Sequence, residues 1–80
     1  MSLKEQILLE LKKKNSLALE EMKKCDEAIA FEKFKMSTIN EGALAGTARK
    51  FCQSNIDSAT RRKENIKNEN AWVSEMLSKY

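Results

Sequence analysis

The chain of 80 residues contains no proline and no histidine, and it has only two glycines and two cysteines. Without proline, nothing in the sequence forces a helix to kink or stop. Without histidine, the commonest general base and metal ligand is missing, and two lone cysteines do not complete a metal shell. No Gly-rich phosphate loop follows a strand. We therefore expect no enzymatic activity, no catalytic residue, no metal site and no cofactor.

Long hydrophobic runs are also missing. No stretch of about 20 apolar residues occurs, so the sequence predicts no membrane-spanning helix. The first residues lack the apolar core of a secretory signal. Cys25 and Cys52 fall at apolar helical positions, and we interpret them as small buried hydrophobes in a reducing cytoplasm. A hairpin folded at residues 40–41 offsets them by about one helical turn, ~5 Å, which does not favour a disulfide.

What the chain does contain is two long stripes of apolar residues spaced three and four apart. Such spacing is typical of a helix that buries one face. Two helices that bury their stripes against each other form a hairpin. The sequence therefore predicts an all-α, elongated, antiparallel two-helix hairpin that resembles a coiled coil. The first stripe comprises Ile7, Leu11, Ala18, Met22, Cys25, Ile29 and Met36, and the second comprises Leu44, Ala48, Phe51, Ala59, Ile66, Val73, Leu77 and Tyr80.

Helix boundaries follow from capping signals. Ser2 and Glu5 fit a capping box at the start of helix one, and Asn40 is a good N-cap for helix two. Gly42 is interpreted as part of the turn, whereas Gly46 either lets the helices approach closely or is a weak spot in helix two. The approximate predicted bounds are 1–80 for the single hairpin, 3–38 for helix one, 39–42 for the turn and 41–78 for helix two.

This pairing of the helices predicts which side chains meet. Leu8 and Leu9 are expected near Val73 and Trp72, and Met22 is expected near Ala59. Four polar residues interrupt the stripes or lie beside them. They either fix the register of the two helices at some cost in stability or face other partners. These residues are Asn15, Asn55, Arg62 and Glu69.

Two helices alone bury little apolar surface, and chains this short usually need partners or other stabilising links. We therefore expect the hairpin to associate with itself or with other helices through apolar residues left exposed on helix one. This predicted apolar interface comprises Leu9, Leu17, Phe31 and Phe34.

A basic face is predicted on helix one, roughly opposite its core stripe at 100° per residue. Near an anionic bilayer each lysine contributes about 1 kcal/mol. Because Glu20 and Glu27 share this face, it also suits a solvated surface or a protein interface. No nucleic-acid recognition motif is present, so we expect no nucleic-acid partner. The predicted basic face comprises Lys12, Lys13, Lys23 and Lys24.

Several short runs occur in a fixed order along the chain. They are Lys23-Lys24-Cys25-Asp26, Glu32-Lys33-Phe34-Lys35, Ile39 followed by Gly42, and Ala48-Arg49. In order and separation they resemble the N-terminal hairpin of ESCRT-III subunits, with the type-1 charged multivesicular body proteins as the best match. Residues 58–65 are similar to a further segment of that family, whereas Asp57 and Trp72 depart from its pattern.

The resemblance implies a non-enzymatic structural subunit of a membrane-remodelling polymer that acts in endosomal sorting and membrane scission. The implied partners are further copies, other ESCRT-III subunits and acidic membranes. The implied location is cytoplasmic, at the surface of endosomes. The family's binding motif for its AAA ATPase lies beyond the hairpin and is not expected here. Two alternatives stay open: a stand-alone helical adaptor or regulator that oligomerises and binds a protein partner, and a coiled-coil spacer.

Overall fold

The fold is an elongated hairpin of two helices. The computed structural model describes residues 2–39 and 42–79, in which α1 spans Leu3–Thr38 and α2 spans Ala45–Lys79. The helices run antiparallel and give the molecule extents of 64 × 16 × 14 Å. The described residues contain no β-strand. The predicted fold class is therefore confirmed.

The start of α1 has the predicted cap, because the Glu5 backbone amide donates a hydrogen bond of 3.2 Å to Ser2 Oγ. At the other end, the Ile39 amide donates to the carbonyl oxygens of Lys35 and Met36. These bonds satisfy backbone groups that a helix end otherwise leaves unpaired. The observed bounds of α1 agree with the expected range of about 3–38.

The connection between the helices is longer than expected. Gly42 has a φ of +112°, a left-handed conformation that favours glycine. The Ala45 amide donates to the Gly42 carbonyl oxygen at 3.2 Å, and α2 begins at Ala45. The expected start of helix two at about residue 41 is therefore wrong. The proposed cap Asn40 lies outside the described residues.

The core is a narrow seam between the helices. In α1 the inward positions alternate by three and four from Leu8 to Ile39, which is the seven-residue repeat of a coiled coil. In α2 the same alternation holds, with one exception: two successive spacings of four connect Ala48, Cys52 and Ile56. The most buried described side chains are Leu11, Ala18, Cys25, Cys52, Ile56 and Val73.

Three members of the predicted stripes lie outside this seam. Ile7, Leu44 and Phe51 are 52%, 74% and 70% exposed. Leu8 and Cys52, each one residue further along the chain, take the inward positions instead. The assignment of these three to the core is wrong, because neighbouring apolar residues compete for the same seam. Tyr80 lies outside the described residues.

The register of the helices also differs from the expected one. Lys63 Nζ lies 2.7 Å from Asp26 Oδ1, and the Lys14 ammonium lies 5.7 Å from the centre of the Trp72 ring. Trp72 is therefore one turn or more away from Leu9, its expected neighbour. The cause is the late start of α2, which shifts every pairing by several residues. Both cysteines are buried and free, as expected.

Candidate interaction surfaces

Polar side chains inside the seam fix its register. Asn70 Nδ2 donates to Asn15 Oδ1 at 2.8 Å, and the Ser74 hydroxyl donates to the same oxygen at 3.4 Å. Two partly buried amide side chains can form this hydrogen bond in only one alignment of the helices. By contrast, Arg62 and Glu69 are exposed and border depressions on the outside of the hairpin. Of the four predicted polar interruptions, Asn15 therefore belongs to a pair that fixes the register, whereas Arg62 and Glu69 lie outside the seam.

A carboxylate also enters the seam at Glu32, whose side chain is only 13% exposed. Lys35 Nζ lies 3.2 Å from Glu32 Oε1. Burial would raise the pKa of Glu32, but interactions with the side chains of Lys35, Cys52 and Asn55 hold it below its usual value. Burial and the nearby carboxylate raise the pKa of the Cys52 thiol. The thiol therefore stays protonated and poorly nucleophilic at neutral pH.

The four lysines of the predicted basic face are all exposed, but they do not form one compact patch. Lys13 and Lys23 point away from α2, and Lys12 borders a small depression together with Leu9. Lys24 lies on the opposite side, where it borders a depression with Arg62. The basic face is thus a broad band around the outside of α1.

Charge on α2 was missed by sequence reasoning. Within its bounds α2 has seven lysine and arginine residues against four acidic residues, whereas α1 has eight against seven. The excess positive charge of the hairpin therefore resides mainly on α2. Counting within the predicted bounds would not have found it, because the range 41–78 includes Glu41 and omits Lys79 and so has an excess of only one positive charge, as α1 does.

One long side of the hairpin carries a row of shallow depressions, which we name the side groove. Glu21 borders the first two, Ala28 the second and Lys35 the third. These three residues are seven apart in a helix with a seven-residue core repeat, so they lie along one line. The depressions therefore follow one another on the same side of the molecule. The depression nearest the turn has a volume of about 440 Å³ and an almost wholly apolar wall.

Most of the exposed large apolar side chains lie along the side groove. Each helix contributes a line of residues separated by multiples of seven positions. They are Leu17 and Phe31 on α1, and Phe51 and Trp72 on α2 with Leu44 just before it. Seven of the ten exposed large hydrophobic residues in the described part belong to this side. They are Leu3, Ile7, Leu17, Phe31, Leu44, Phe51 and Trp72.

The predicted apolar interface is divided by the structure. Its four members are all exposed, but only Leu17 and Phe31 lie on the side groove. Leu9 lies beside Lys12 on the other side, and Phe34 faces away from the seam. The contribution of α2 was missed, because Leu44 and Phe51 had been assigned to the core. In both helices exposed apolar residues recur at multiples of seven positions. This recurrence is the sequence signal that could have revealed the side groove.

No protein-family model, no curated protein and no solved structure matches this chain. Among the described residues, no helix is long and apolar enough to cross a bilayer. The resemblance to ESCRT-III hairpins thus remains a prediction from short sequence runs.

Proposed function

We propose that this chain is a non-enzymatic structural subunit of an ESCRT-III-like polymer that associates through apolar surface and contacts acidic membranes through lysines. The observation that carries the proposal is the separation of two surfaces. Leu17 and Phe31 lie on the side groove, whereas Lys12, Lys13 and Lys23 lie elsewhere on α1. A hairpin of this kind can associate through one surface and leave its lysines free for lipid.

The runs that resemble the family also fit the geometry of a hairpin. In Lys23-Lys24-Cys25-Asp26 both lysines are exposed, while Cys25 is buried in the seam. Asp26 pairs with Lys63 of the facing helix at 2.7 Å. Each residue of this run therefore has a distinct place in a two-helix hairpin, which supports the use of the run as a marker of such hairpins.

Weak lysine contacts become useful when they are repeated. Each near-surface lysine contributes about 1 kcal/mol to binding an anionic bilayer, which is too little to hold one hairpin there. Copies joined side by side bind the membrane at many points at once, so the assembly binds far more tightly than one hairpin. The proposal therefore includes other copies or related subunits as partners, and the cytoplasmic surface of endosomal membranes as the place of action.

Sedimentation with acidic liposomes tests this proposal. The wild-type chain should bind at low salt and be released as salt rises, because exposed charges are screened beyond ~8–10 Å at physiological ionic strength. Replacing Lys12, Lys13 and Lys23 with Glu should abolish binding while the helical circular dichroism persists.

The matched control reverses three exposed basic residues of α2, through Arg49→Glu, Lys50→Glu and Lys67→Glu. It changes the net charge equally but leaves the lysines of α1 in place. If both triple variants lose binding to the same extent, net charge rather than the α1 lysines attracts the chain. If the wild-type chain ignores acidic liposomes even at low salt, the membrane role is wrong.

The second candidate is a stand-alone helical adaptor or regulator that binds a protein partner. The side groove favours it, because a long apolar depression between two helices suits a further helix and requires no membrane. Failure of liposome binding together with retained association in solution would select this candidate.

A further inference from the structure

The side groove is uncovered along the whole hairpin, although it holds most of the exposed apolar residues of the described part. Monomeric proteins rarely leave so many large apolar residues exposed on one side. The molecule has overall extents of 64 × 16 × 14 Å, so the outline of one long side encloses about 900 Å² at most. A stable interface buries about 800 Å² on each partner. One side of this molecule is therefore large enough for a specific dimer.

The apolar residues of the side groove form two clusters with a polar middle. The open-end cluster contains Leu3, Ile7, Leu17 and Trp72, since the Trp72 ring lies at the level of Lys14. The turn-end cluster contains Phe31, Leu44 and Phe51, since the last two border one depression with Lys35 and Ile39. The midpoint between the clusters falls at about residues 23–24 of α1.

A two-fold axis through this midpoint brings unlike clusters together. In an antiparallel pair of copies, position 17 of one chain faces about position 30 of the other, so Leu17 meets Phe31. By the same operation Trp72, at the level of Lys14, faces the region of Phe31 and Phe51. Each copy therefore buries the open-end cluster of its partner, which is the self-complementary arrangement of a two-fold dimer.

Charges in the groove agree with the same axis. Glu21 lies just before the midpoint, while Lys24 and Arg62 border the groove just after it. The two-fold operation brings the Glu21 carboxylate of one copy within about one helical turn of the basic pair of the other, while Lys24 lies so close to the axis that it also approaches its own counterpart. Further from the axis, Glu10 lies seven residues before Leu17 on the same side of α1. The two-fold operation places it near Lys35 of the other copy. In a parallel pair with the same alignment, by contrast, Glu21 and Glu10 would each face their own counterparts and no lysine.

We propose that the side groove is the interface of an antiparallel, two-fold homodimer, which forms a four-helix bundle from two hairpins. The inference deepens the self-association included in the proposed function, as its first pairwise step, and rests on it to that extent. Because a two-fold interface is closed, dimers would join into a polymer through surfaces outside the side groove. It needs no membrane, so it is tested in solution. If the chain fails to bind liposomes, the membrane role is wrong but the dimer is unaffected. If the chain fails to dimerise, the dimer is wrong but the lysines of α1 are still tested by liposome binding.

The experiment exchanges charges between chains. In Glu21→Lys homodimers the two new lysines face the basic pairs, and in Arg62→Glu homodimers the new carboxylates face Glu21. Each variant alone should dimerise at least about tenfold more weakly than wild type, because like charges are juxtaposed. An equimolar mixture should recover the dimer, because each lysine at position 21 then faces a glutamate at position 62.

Sedimentation equilibrium measures the dimer, and fluorescence of Trp72, the single tryptophan of the chain, reports burial of the groove as a blue shift with rising concentration. Glu20→Lys and Arg61→Glu are matched controls, because they make the same charge changes one position away from the groove. These controls should dimerise as wild type does.

Recovery in the mixture supports the two-fold pairing and excludes a fold defect in either variant. A purely intramolecular role of Glu21 and Arg62 would not be repaired by mixing chains. The proposal is overturned if the wild-type chain stays monomeric up to about 100 μM, a concentration at which a dimer with a dissociation constant near 1 μM is almost completely formed. It is also overturned if both variants dimerise normally, or if the mixture fails to recover.

Discussion

At the scale of single residues, the two glycines of the chain have opposite requirements. Gly42 has a φ of +112°, which L side chains rarely adopt, whereas Gly46 lies in the first turn of α2 with ordinary helical geometry. A Cβ atom built on Gly46 meets no heavy atom within 4 Å. Close approach of the helices therefore does not explain this glycine, and it remains a weak spot.

Alanine substitutions separate the two glycines. Gly46→Ala should raise the free energy of unfolding by about 0.5–1 kcal/mol, because alanine is the better helix former and restricts the unfolded chain. Gly42→Ala should lower it by about 1 kcal/mol or more, because the left-handed conformation strains alanine. Urea unfolding followed by circular dichroism measures both. A destabilised Gly46→Ala variant would contradict the open space seen around this residue.

A second residue-scale prediction concerns Glu32 and pH. Because its folded-state pKa lies below the ordinary value of 4.5, the folded state favours the carboxylate. That stabilisation is complete above about pH 4.5 and is lost as pH falls through the folded pKa. Glu32→Gln should therefore flatten the loss of stability on acidification.

Urea unfolding at several pH values between about 3 and 7 tests the role of Glu32. Glu27→Gln is the matched control, since Glu27 is exposed on the same helix. The Glu27 variant should keep the pH profile of the wild-type chain. Equal flattening in both variants would show that general charge, rather than the buried carboxylate, governs the acid response.

At the scale of helices, the sequence was sufficient for the hairpin and insufficient for its register. The spacing of apolar residues and the Ser2 cap were enough to predict α1. Few alternative assignments of these residues would keep a seven-residue apolar repeat over the whole helix. The start of α2 depends on the turn around Gly42, and an error of a few residues there moves every facing pair. The assignment of Phe51 to the core was wrong although Cys52 was correctly expected to be buried, because two adjacent apolar residues both fit a helical stripe and only one of them can face the seam.

The register should depend on the amide pair Asn15 and Asn70. Asn70→Ala removes the better of the two hydrogen bonds to Asn15 Oδ1 and should cost about 1 kcal/mol of unfolding free energy. In a double-mutant cycle with Asn15→Ala, we expect a coupling energy of about 0.5–1 kcal/mol. Additive effects of the two substitutions would mean that the pair does not couple the helices.

At the scale of the whole molecule, the side groove could not be predicted before the register was known. Leu17 and Phe31 were identified as exposed from α1 alone, but their partners Phe51 and Trp72 come alongside only in the folded hairpin. Likewise, Glu21 and Arg62 acquire meaning as a pair only when both border one depression. The candidate interface is therefore a property of the assembled hairpin, whereas the lysines of α1 are visible in the sequence.

Pulsed electron paramagnetic resonance between the two copies of a dimer tests the central claim most directly. Nitroxide labels are placed at Lys23→Cys or at Ser37→Cys, in a Cys25→Ala/Cys52→Ala background that keeps wild-type helicity. Position 23 lies at the proposed axis, so its two labels should be separated only by the width of the bundle. Position 37 lies about 13 residues from the axis, so its two labels should be about 40 Å apart along the bundle at 1.5 Å per residue. Short distances at both positions would mean parallel pairing and would contradict the account.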